Sequence, residues 1–443
     1  MSVDRTELAV CLSVLSRLGD PGLDDATRLE LERAVTAAAR DVKRRAKARR
    51  VGETRAADRA VLAAATRFHT EIPPVLPSPS PAAPTPAGTL RRERRCYVCK
   101  SAYRAVDADY HLLCPPCAEE NRVRRHARCD LSGRTAIVTG GRVKIGFHTA
   151  LKLLRDGAEV VVTTRFPRDA ARRYAAVPDF ASWGHRLSVH ELDLLDLNAT
   201  LEFVALAGRR FAGLDILVNN AAQTLYRPEA YHGEVREAET AALSGPAARI
   251  AITAGDPSVP VATGDPLFPA GHRDETGQQL DLRAVNSWVL HDGDVSPHEW
   301  LQVHVVNAFA PFLLTSRLRP LLAAARQPQR HVVQVSAMEG SFSRRGKTVR
   351  HPHTNMAKAS LNMLVRTVAA DYVRDGIHMN SVDTGWVTDE RPHPAKVTVR
   401  EAGFRPPLDV VDGAARVYDP IVRGVRGTPV SGQFLKDYRS VPW

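Results

Sequence analysis

No apolar run in the sequence approaches the roughly 20 residues a helix needs to cross a bilayer, and no basic-then-apolar stretch opens the chain. These absences argue against a helical membrane protein and a secretory leader, so the expectation is a cytoplasmic protein without membrane contact. Cysteine is scarce, with six in 443 residues. Four of them form two C-x-x-C pairs, which suits a reduced compartment and a bound metal better than a disulfide framework. Acidic residues are outnumbered, 49 Asp and Glu against 61 Lys and Arg, for a formal net charge of +12. The first 130 residues alone hold 24 Lys and Arg against 17 Asp and Glu, so an acidic partner is to be sought there. What is present is otherwise ordinary: 44% hydrophobic and 25% charged residues make a globular mixture long enough for two or three domains.

Leu8, Leu12, Leu15 and Leu18 recur at helical spacing and stop at Gly19-Asp20-Pro21-Gly22. A second helix is expected from Asp24-Asp25, acidic residues suited to a helix N-terminus, through Leu29, Leu31 and Val35 into the basic run 40–50. A third, rich in alanine, is expected around 55–68. The basic run suits an acidic partner and could contact phosphates, but no aromatic residue is interleaved with it, and a solvated helix face is the commoner fate of such a run. Residues 1–70 therefore read as a helical N-terminal region. Prolines crowd 73–86, which can neither bury a core nor sustain a helix, so 71–94 reads as a semi-rigid linker.

Cys96-Tyr97-Val98-Cys99 and Cys114-Pro115-Pro116-Cys117 are separated by 14 residues. Each C-x-x-C turn aims two thiolates at one ion, and two such knuckles close a tetrahedral shell of four sulfurs. A redox pair is the competing reading. A closed Cys₄ shell has no open position for chemistry, so residues 95–130 are expected to be a small module stapled by structural zinc, whose loss leaves binding elsewhere intact. Cys11 and Cys129 remain as unpaired thiols.

From residue 132 the pattern becomes an alternation of strands and helices: strands at 136–138, 159–164, 214–218 and 331–336, helices at 148–156 and 357–375. Such alternation predicts an α/β fold with a doubly wound parallel sheet and ligands at the C-terminal strand ends. The stretch Thr139-Gly140-Gly141-Arg142-Val143-Lys144-Ile145-Gly146 joins the first strand to the first helix. A strand that turns through glycines into a helix start offers backbone N–H groups and a positive helix end to a pyrophosphate.

Several motifs in this order resemble the short-chain dehydrogenase/reductase superfamily over 131–443. Thr139-Gly140 with Ile145-Gly146 is similar to its cofactor loop, and Asn219-Asn220-Ala221-Ala222 to the strand end beneath the adenine side of the cofactor. Val306-Asn307 resembles the helix asparagine of its proton relay, Asn355-Met356-Ala357-Lys358 the stretch with the active-site lysine, and Asp383-Thr384-Gly385-Trp386-Val387 the segment that closes over the nicotinamide. The resemblance implies a Rossmann domain, a nicotinamide cofactor, homo-oligomers built through that domain, and a small-molecule substrate whose identity the residues do not name.

Departures from the family pattern fall at the chemistry. Lys144 stands at the loop's second glycine, where its ammonium could reach a phosphate. Thr354, four residues before Lys358, holds the place of the catalytic tyrosine, and Ala337 that of the carbonyl-orienting serine, with Ser336 one place early. General acid catalysis contributes about 10²–10⁴ in rate, and a threonine hydroxyl is too weak an acid to supply it. His353 and His351 precede Thr354, and an imidazole titrates near neutrality, although both could equally sit in a surface loop. The second strand ends in Thr164-Arg165 with no acid for a ribose 2′-OH; Arg165, with Arg142 or Lys144, suits the 2′-phosphate of NADP, with NAD as the other candidate. Asp193 matches the family aspartate near the adenine. An insertion, 225–293, carries Tyr226, Tyr231, Asn286, Trp288 and His291 and is expected to shape a pocket or an oligomer contact. The leading expectation is an NADP-dependent oxidoreductase acting on a carbonyl or enoyl substrate through an altered relay. A catalytically silent NAD(P)-binding sensor or scaffold is the second, and a nucleic-acid-binding protein the third.

Overall fold

The computed structural model describes residues 4–68, 86–255 and 265–443. It begins with two helices that bury no side chain, α1 (Arg5–Ser16) and α2 (Asp25–Ala63). Asp24 caps α2 by accepting from the Thr27 N–H at 2.9 Å. The second and third helices expected from sequence are one: Gly52 costs a helix about 1 kcal/mol relative to alanine, and α2 runs through it for 39 residues, roughly 58 Å at 1.5 Å per residue.

The linker expected over 71–94 is also corrected. Up to residue 85 it lies outside the described residues, and its end is the strand β1 (Gly88–Arg95), which pairs antiparallel with β2 (Ala102–Val106). With α3 (Pro115–Arg125) this hairpin forms a small module around Leu90, Tyr103, Val106, Tyr110 and Leu113.

Beyond it the predicted alternation appears: β3 (Thr135–Thr139), α4 (Lys144–Arg155), β4 (Glu159–Thr164), α5 (Pro167–Ala175), α6 (Phe180–Trp183), β5 (Leu187–Glu191), α7 (Leu197–Arg210) and β6 (Ile216–Asn219). The insertion supplies α8 (Gly233–Thr240) and β7 (Ala251–Thr253). The chain returns through α9 (Pro297–His304), α10 (Ala310–Ala323), β8 (Arg330–Ser336), α11 (Pro352–Arg374) and β9 (Ile377–Asp383). It closes with α12 (His393–Glu401), α13 (Val410–Val425), β10 (Phe434–Lys436) and β11 (Arg439–Val441). Helix α11 starts five residues before the expected 357, so His353 and Thr354 lie on the helix.

Among the described residues the main sheet has nine strands in the order β11-β10-β9-β8-β6-β3-β4-β5-β7, parallel except for β11. Ala136, Ile137 and Val138 of β3 are wholly buried because both sheet faces are covered. Helices α4, α5 and α13 pack on one face and α7, α10 and α11 on the other. Strand order reverses at β3, between β4 and β6, and this opens a crevice beyond their C-terminal ends. No described helix is long and apolar enough to cross a membrane.

The small module docks on α13. Arg125 reaches Asp409 and Asp412 at 2.6 and 2.8 Å, Arg124 reaches Asp419 at 2.7 Å, and the Tyr110 hydroxyl donates to Asp412 at 2.8 Å. Buried Arg416 donates back to Asn121 at 2.8 Å and pairs with Asp437. These charges are mutually paired, so truncating one partner would strand a buried charge at a cost of about 3–5 kcal/mol.

Candidate functional site

The glycine-rich turn is built as the sequence implied. Gly140 sits at φ +65°, and a Cβ there would stand 2.9 Å from the Ala221 Cα. A Cβ on Gly146 would lie 2.3 Å from the Gly140 carbonyl oxygen and 2.4 Å from Asn220 Nδ2, so only glycine fits. Thr139 Oγ1 accepts the N–H groups of Asn220 and Ala221 at 3.0 Å each, while Asn220 Nδ2 donates to the carbonyls of Thr139 and Gly140. The ends of β3 and β6 are thereby locked together. Asn219 turns inward, donating to Thr315 and Gln334 at 3.0 Å, and therefore braces the sheet instead of facing the crevice. Ile145 packs against Gly413 of α13.

Lys144 keeps the left-handed backbone of the glycine it replaces, at φ +52°. That conformation costs a side-chain-bearing residue about 1–2 kcal/mol. It opens α4, whose first N–H groups have no intrahelical acceptor and form a positive end. The Lys144 ammonium lies 3.4 Å from Glu390 Oε1, which also accepts from the Thr388 hydroxyl at 2.7 Å. Burial would raise the Glu390 carboxyl, but Lys144 and Thr388, with Lys396 and Arg227, outweigh it and hold the group down at about 2. Asn286 of the insertion donates to the Glu390 carbonyl at 3.1 Å. Lys144, Arg227, Asn286, Glu390, Lys396 and Arg400 line a cavity of about 220 Å³ there. Glu390 was not foreseen from sequence; its only signal is an acid two places after Thr388.

At the adenine end Arg142 is tied to Asp169 at 2.7 Å, an acceptor it shares with Arg173. That pairing removes Arg142 from the expected 2′-phosphate clamp. Arg165 is exposed, stacks 5.4 Å from the Phe166 ring centroid and approaches His232 Nε2 at 3.3 Å. Burial, then Arg165 and Arg142, push the His232 imidazolium down to about 2, leaving a neutral ring beside the guanidinium. Asp193 is half-buried, and its carboxylate accepts the Leu195 N–H at 3.0 Å. On the opposite side of the crevice Thr384 is half-buried, Gly385 takes φ +77°, and Val387 packs on the cysteine module.

Lys358 is buried, donates to the Val335 carbonyl at 2.8 Å, and has its ammonium pushed by burial down to about 8. Thr354, one turn earlier on α11, is buried with its hydroxyl unpartnered among the described residues. The other expected relay groups are diverted. Asn307 lies in a π-helical turn, Val305–Phe309, a feature frequent at functional sites. Its Oδ1 accepts the Gln223 N–H at 2.6 Å and its Nδ2 donates to the Gln223 carbonyl, so both ends clamp that backbone. Ser336 donates to Asn362 at 2.6 Å inside the sheet–helix layer, which leaves it no catalytic use. His353 is fully enclosed, with Nε2 3.3 Å from Glu299. His351 precedes α11 at φ +44°, stacks on Trp288 at 4.2 Å, and has Nδ1 3.0 Å from Asn355 Oδ1; burial lowers its pKa.

The four expected thiols converge. Cys96, Cys99, Cys114 and Cys117 place their sulfurs within 4.8 Å of one another, with Cys99 and Cys114 at 3.5 Å. That is too long for a disulfide, near 2.05 Å, and matches the sulfur–sulfur edge of about 3.8 Å that four bonds of 2.3 Å to one tetrahedral ion would give. The donor set therefore fits zinc.

The sequence also resembles known proteins. The sequence profile described as short chain dehydrogenase matches residues 134–241, and the one described as enoyl-(acyl carrier protein) reductase matches 285–398. Uncharacterized protein R665 of Acanthamoeba polyphaga mimivirus is 32% identical over 342 residues, 74% of this chain and 71% of that protein. Carbonyl reductase [NADPH] 1 of Sus scrofa is 40% identical over 89 residues, 20% of this chain and 30% of the enzyme, so the match spans under a third of that reductase. Among solved structures, NADPH-bound carbonyl reductase from chicken fatty liver aligns at a TM-score of 0.47 and 19% identity, over 71% of this chain and 100% of that one.

Proposed function

The chain belongs to the short-chain dehydrogenase family, and from that membership we propose that it is an NADP-dependent oxidoreductase with an altered proton relay, acting on a carbonyl or enoyl substrate. The observation that carries the proposal is the buried Lys358 ammonium at the C-terminal end of the sheet, with no counter-ion among the described residues, together with a glycine turn in which Gly140 and Gly146 admit no side chain. The residues that would hold the cofactor are the α4 start with Lys144 for the pyrophosphate, Arg165 for the 2′-phosphate, Asp193 near the adenine, Lys358 for the nicotinamide ribose, and Thr384 to Val387 over the nicotinamide. When bound, the nicotinamide supplies or accepts the hydride.

The protein's part is to orient the substrate and deliver a proton. Thr354 can orient an oxygen but is too weak an acid to protonate it. Of the two histidines, His353 is enclosed against Glu299, whereas His351 has Nδ1 held by Asn355 and would donate from Nε2. Consumption of NADPH with a panel of carbonyl and enoyl compounds tests the proposal: turnover that falls about 10²–10⁴-fold in His351→Ala at unchanged cofactor affinity supports the relay, and turnover indifferent to that change rejects it.

One observation favours a second reading, a catalytically silent dinucleotide-binding protein: the Glu390 carboxylate rests where Lys144 and Thr388 would meet a phosphate. NADPH binding without turnover on any substrate selects it. The cysteine cluster is proposed to hold one structural zinc ion. A homo-oligomer is proposed through α9 to α11, which expose Leu301, Phe309, Phe312, Met356 and Met363, and light scattering of the purified protein tests it.

A further inference from the structure

Neither reading uses the most unevenly distributed property of the chain, its positive charge. Residues 40–59 and 88–106 carry fifteen Lys and Arg against four Asp and Glu, a surplus of eleven in a chain whose net charge is +12. The structure brings these two segments together. Asp58 of α2 accepts the N–H of Arg91 at 2.6 Å and of Arg92 at 3.3 Å, and Val61 packs on Gly88, so the arginine-rich strand β1 is fixed against the basic helix. Arg91, Arg92, Arg94 and Arg95 are all exposed, as is Arg104 across the hairpin. On α2, Arg40, Lys43, Arg44, Lys47 and Arg50 fall within an arc of about 120° at 100° per residue and span about 15 Å of axis. Arg40, Lys43, Lys47 and Arg50 have no acidic partner among the described residues.

We propose that this face of α2 and the β1–β2 hairpin docks the phosphate backbone of double-stranded nucleic acid. Charge complementarity identifies the partner's class, and what the surface lacks narrows it. Helix α2 contains no aromatic residue, and in the hairpin Tyr103 is buried while the half-buried Tyr97 ring is covered by Lys100 and Lys436. There is thus no stacking platform of the kind single strands require. In the basic run Val42 is the one large exposed apolar side chain, so this stretch of the helix has no apolar face with which to lie in a membrane. The segment 40–50 of α2 has no fully buried side chain and lies outside the helix's contacts with β1, so it is free to lie along a groove. Contacts of this kind fix phosphates and carry no sequence preference.

The test uses the whole chain and a labelled 30-base-pair duplex of arbitrary sequence, with binding read by fluorescence anisotropy between 50 and 200 mM NaCl. For five to eight phosphate contacts, log K against log[salt] should fall with a slope of about −4.5 to −7. The triple variant Arg40→Glu, Lys43→Glu, Lys47→Glu touches exposed positions only. It should lose at least 100-fold in duplex affinity at unchanged melting temperature. Arg91→Glu with Arg92→Glu should act in the same direction. No duplex binding at 50 mM salt, or affinity unmoved by both variants, overturns the proposal. So does tighter binding to phosphatidylserine vesicles or to a single strand of the same length than to the duplex. NADPH binding is independent of all these outcomes.

Discussion

Replacing Glu390 by glutamine should raise the affinity for NADPH by about 5- to 30-fold. Lys144 occupies the turn where a dinucleotide would place its pyrophosphate, yet its ammonium is paired at 3.4 Å with a carboxylate that also holds Thr388. A pair of unit charges at that distance interacts by about 5 kcal/mol at an effective dielectric of 20. With side-chain exposures of 26% and 18%, desolvation of the two groups offsets most of that, and the net worth of the pair is about 1–2 kcal/mol. A phosphate that binds Lys144 must displace the carboxylate and lose this energy. Glutamine keeps the shape and the Thr388 contact but removes the charge, so the displacement cost largely disappears. Titration calorimetry with NADPH at fixed ionic strength reads the effect, and repeating it in a Lys144→Met background should shrink the gain, since no ammonium remains to be released. An affinity that is unchanged or lower in Glu390→Gln would refute the reasoning.

Arg165→Ala should weaken NADPH by about 1.5–3 kcal/mol while leaving NADH unmoved, because a charge-assisted contact to the 2′-phosphate is lost; equal losses for both nucleotides would sink the assignment. Because burial holds His351 below the ordinary 6.5, its protonated form is scarce at neutral pH, and turnover should climb as pH falls below 6.5. A rate that falls with acid would remove His351 from the relay. The Glu390 carboxyl is held at about 2 against an ordinary 4.5, so the stability it contributes is present above pH 4.5 and lost as pH falls toward 2; acid unfolding of Glu390→Gln should be shallower across that window. Stripping the metal by chelation, or with Cys96→Ser and Cys99→Ser, should reduce NADPH affinity as well as zinc content.

Much of the fold was legible because its signals are local. Strands buried on both faces read as short apolar runs, and the turn from β3 to α4 demands small residues at fixed places. Helix α2 was read as two, one running into the basic segment 40–50 and one rich in alanine, whereas its continuity through Gly52 comes from the surrounding good helix formers. The relay was legible by residue type but not by partner. Asn307 stands where the family pattern leads one to look and Ser336 one place before the family serine, yet Gln223 and Asn362, distant in sequence, claim their hydrogen bonds. Glu390 was least legible of all: Lys144 lies 246 positions away, and a contact of that span leaves no periodicity or spacing to read.

The cysteine module was expected to be a separate staple, with its loss leaving dinucleotide binding intact; its docking argues against that independence. Tyr97, between Cys96 and Cys99 in one C-x-x-C knuckle, accepts the Trp386 N–H at 2.9 Å. Trp386 belongs to the segment expected to close over the nicotinamide. Leu408, part of the module's core, lies 2.5 Å from where a Cβ on Gly385 would stand, and Val387 packs on the same core. The next element, α13, carries the module's ion pairs on one side and Ile145 of the cofactor turn on the other. One wall of the crevice thus rests on a knuckle whose geometry a bound metal would set. Structural zinc contributes roughly 10 kcal/mol or more to folding modules of this size, far more than the few hydrogen bonds of the hairpin could replace. Removing it should free Tyr97 and, with it, the backbone from Gly385 to Val387, while the buried sheet keeps its fold. Tyr97→Phe separates the two effects. It keeps the metal and the ring packing, loses the bond to Trp386, and should weaken NADPH by a smaller factor than chelation does. Full NADPH affinity in metal-free protein would show that the wall stands without its support.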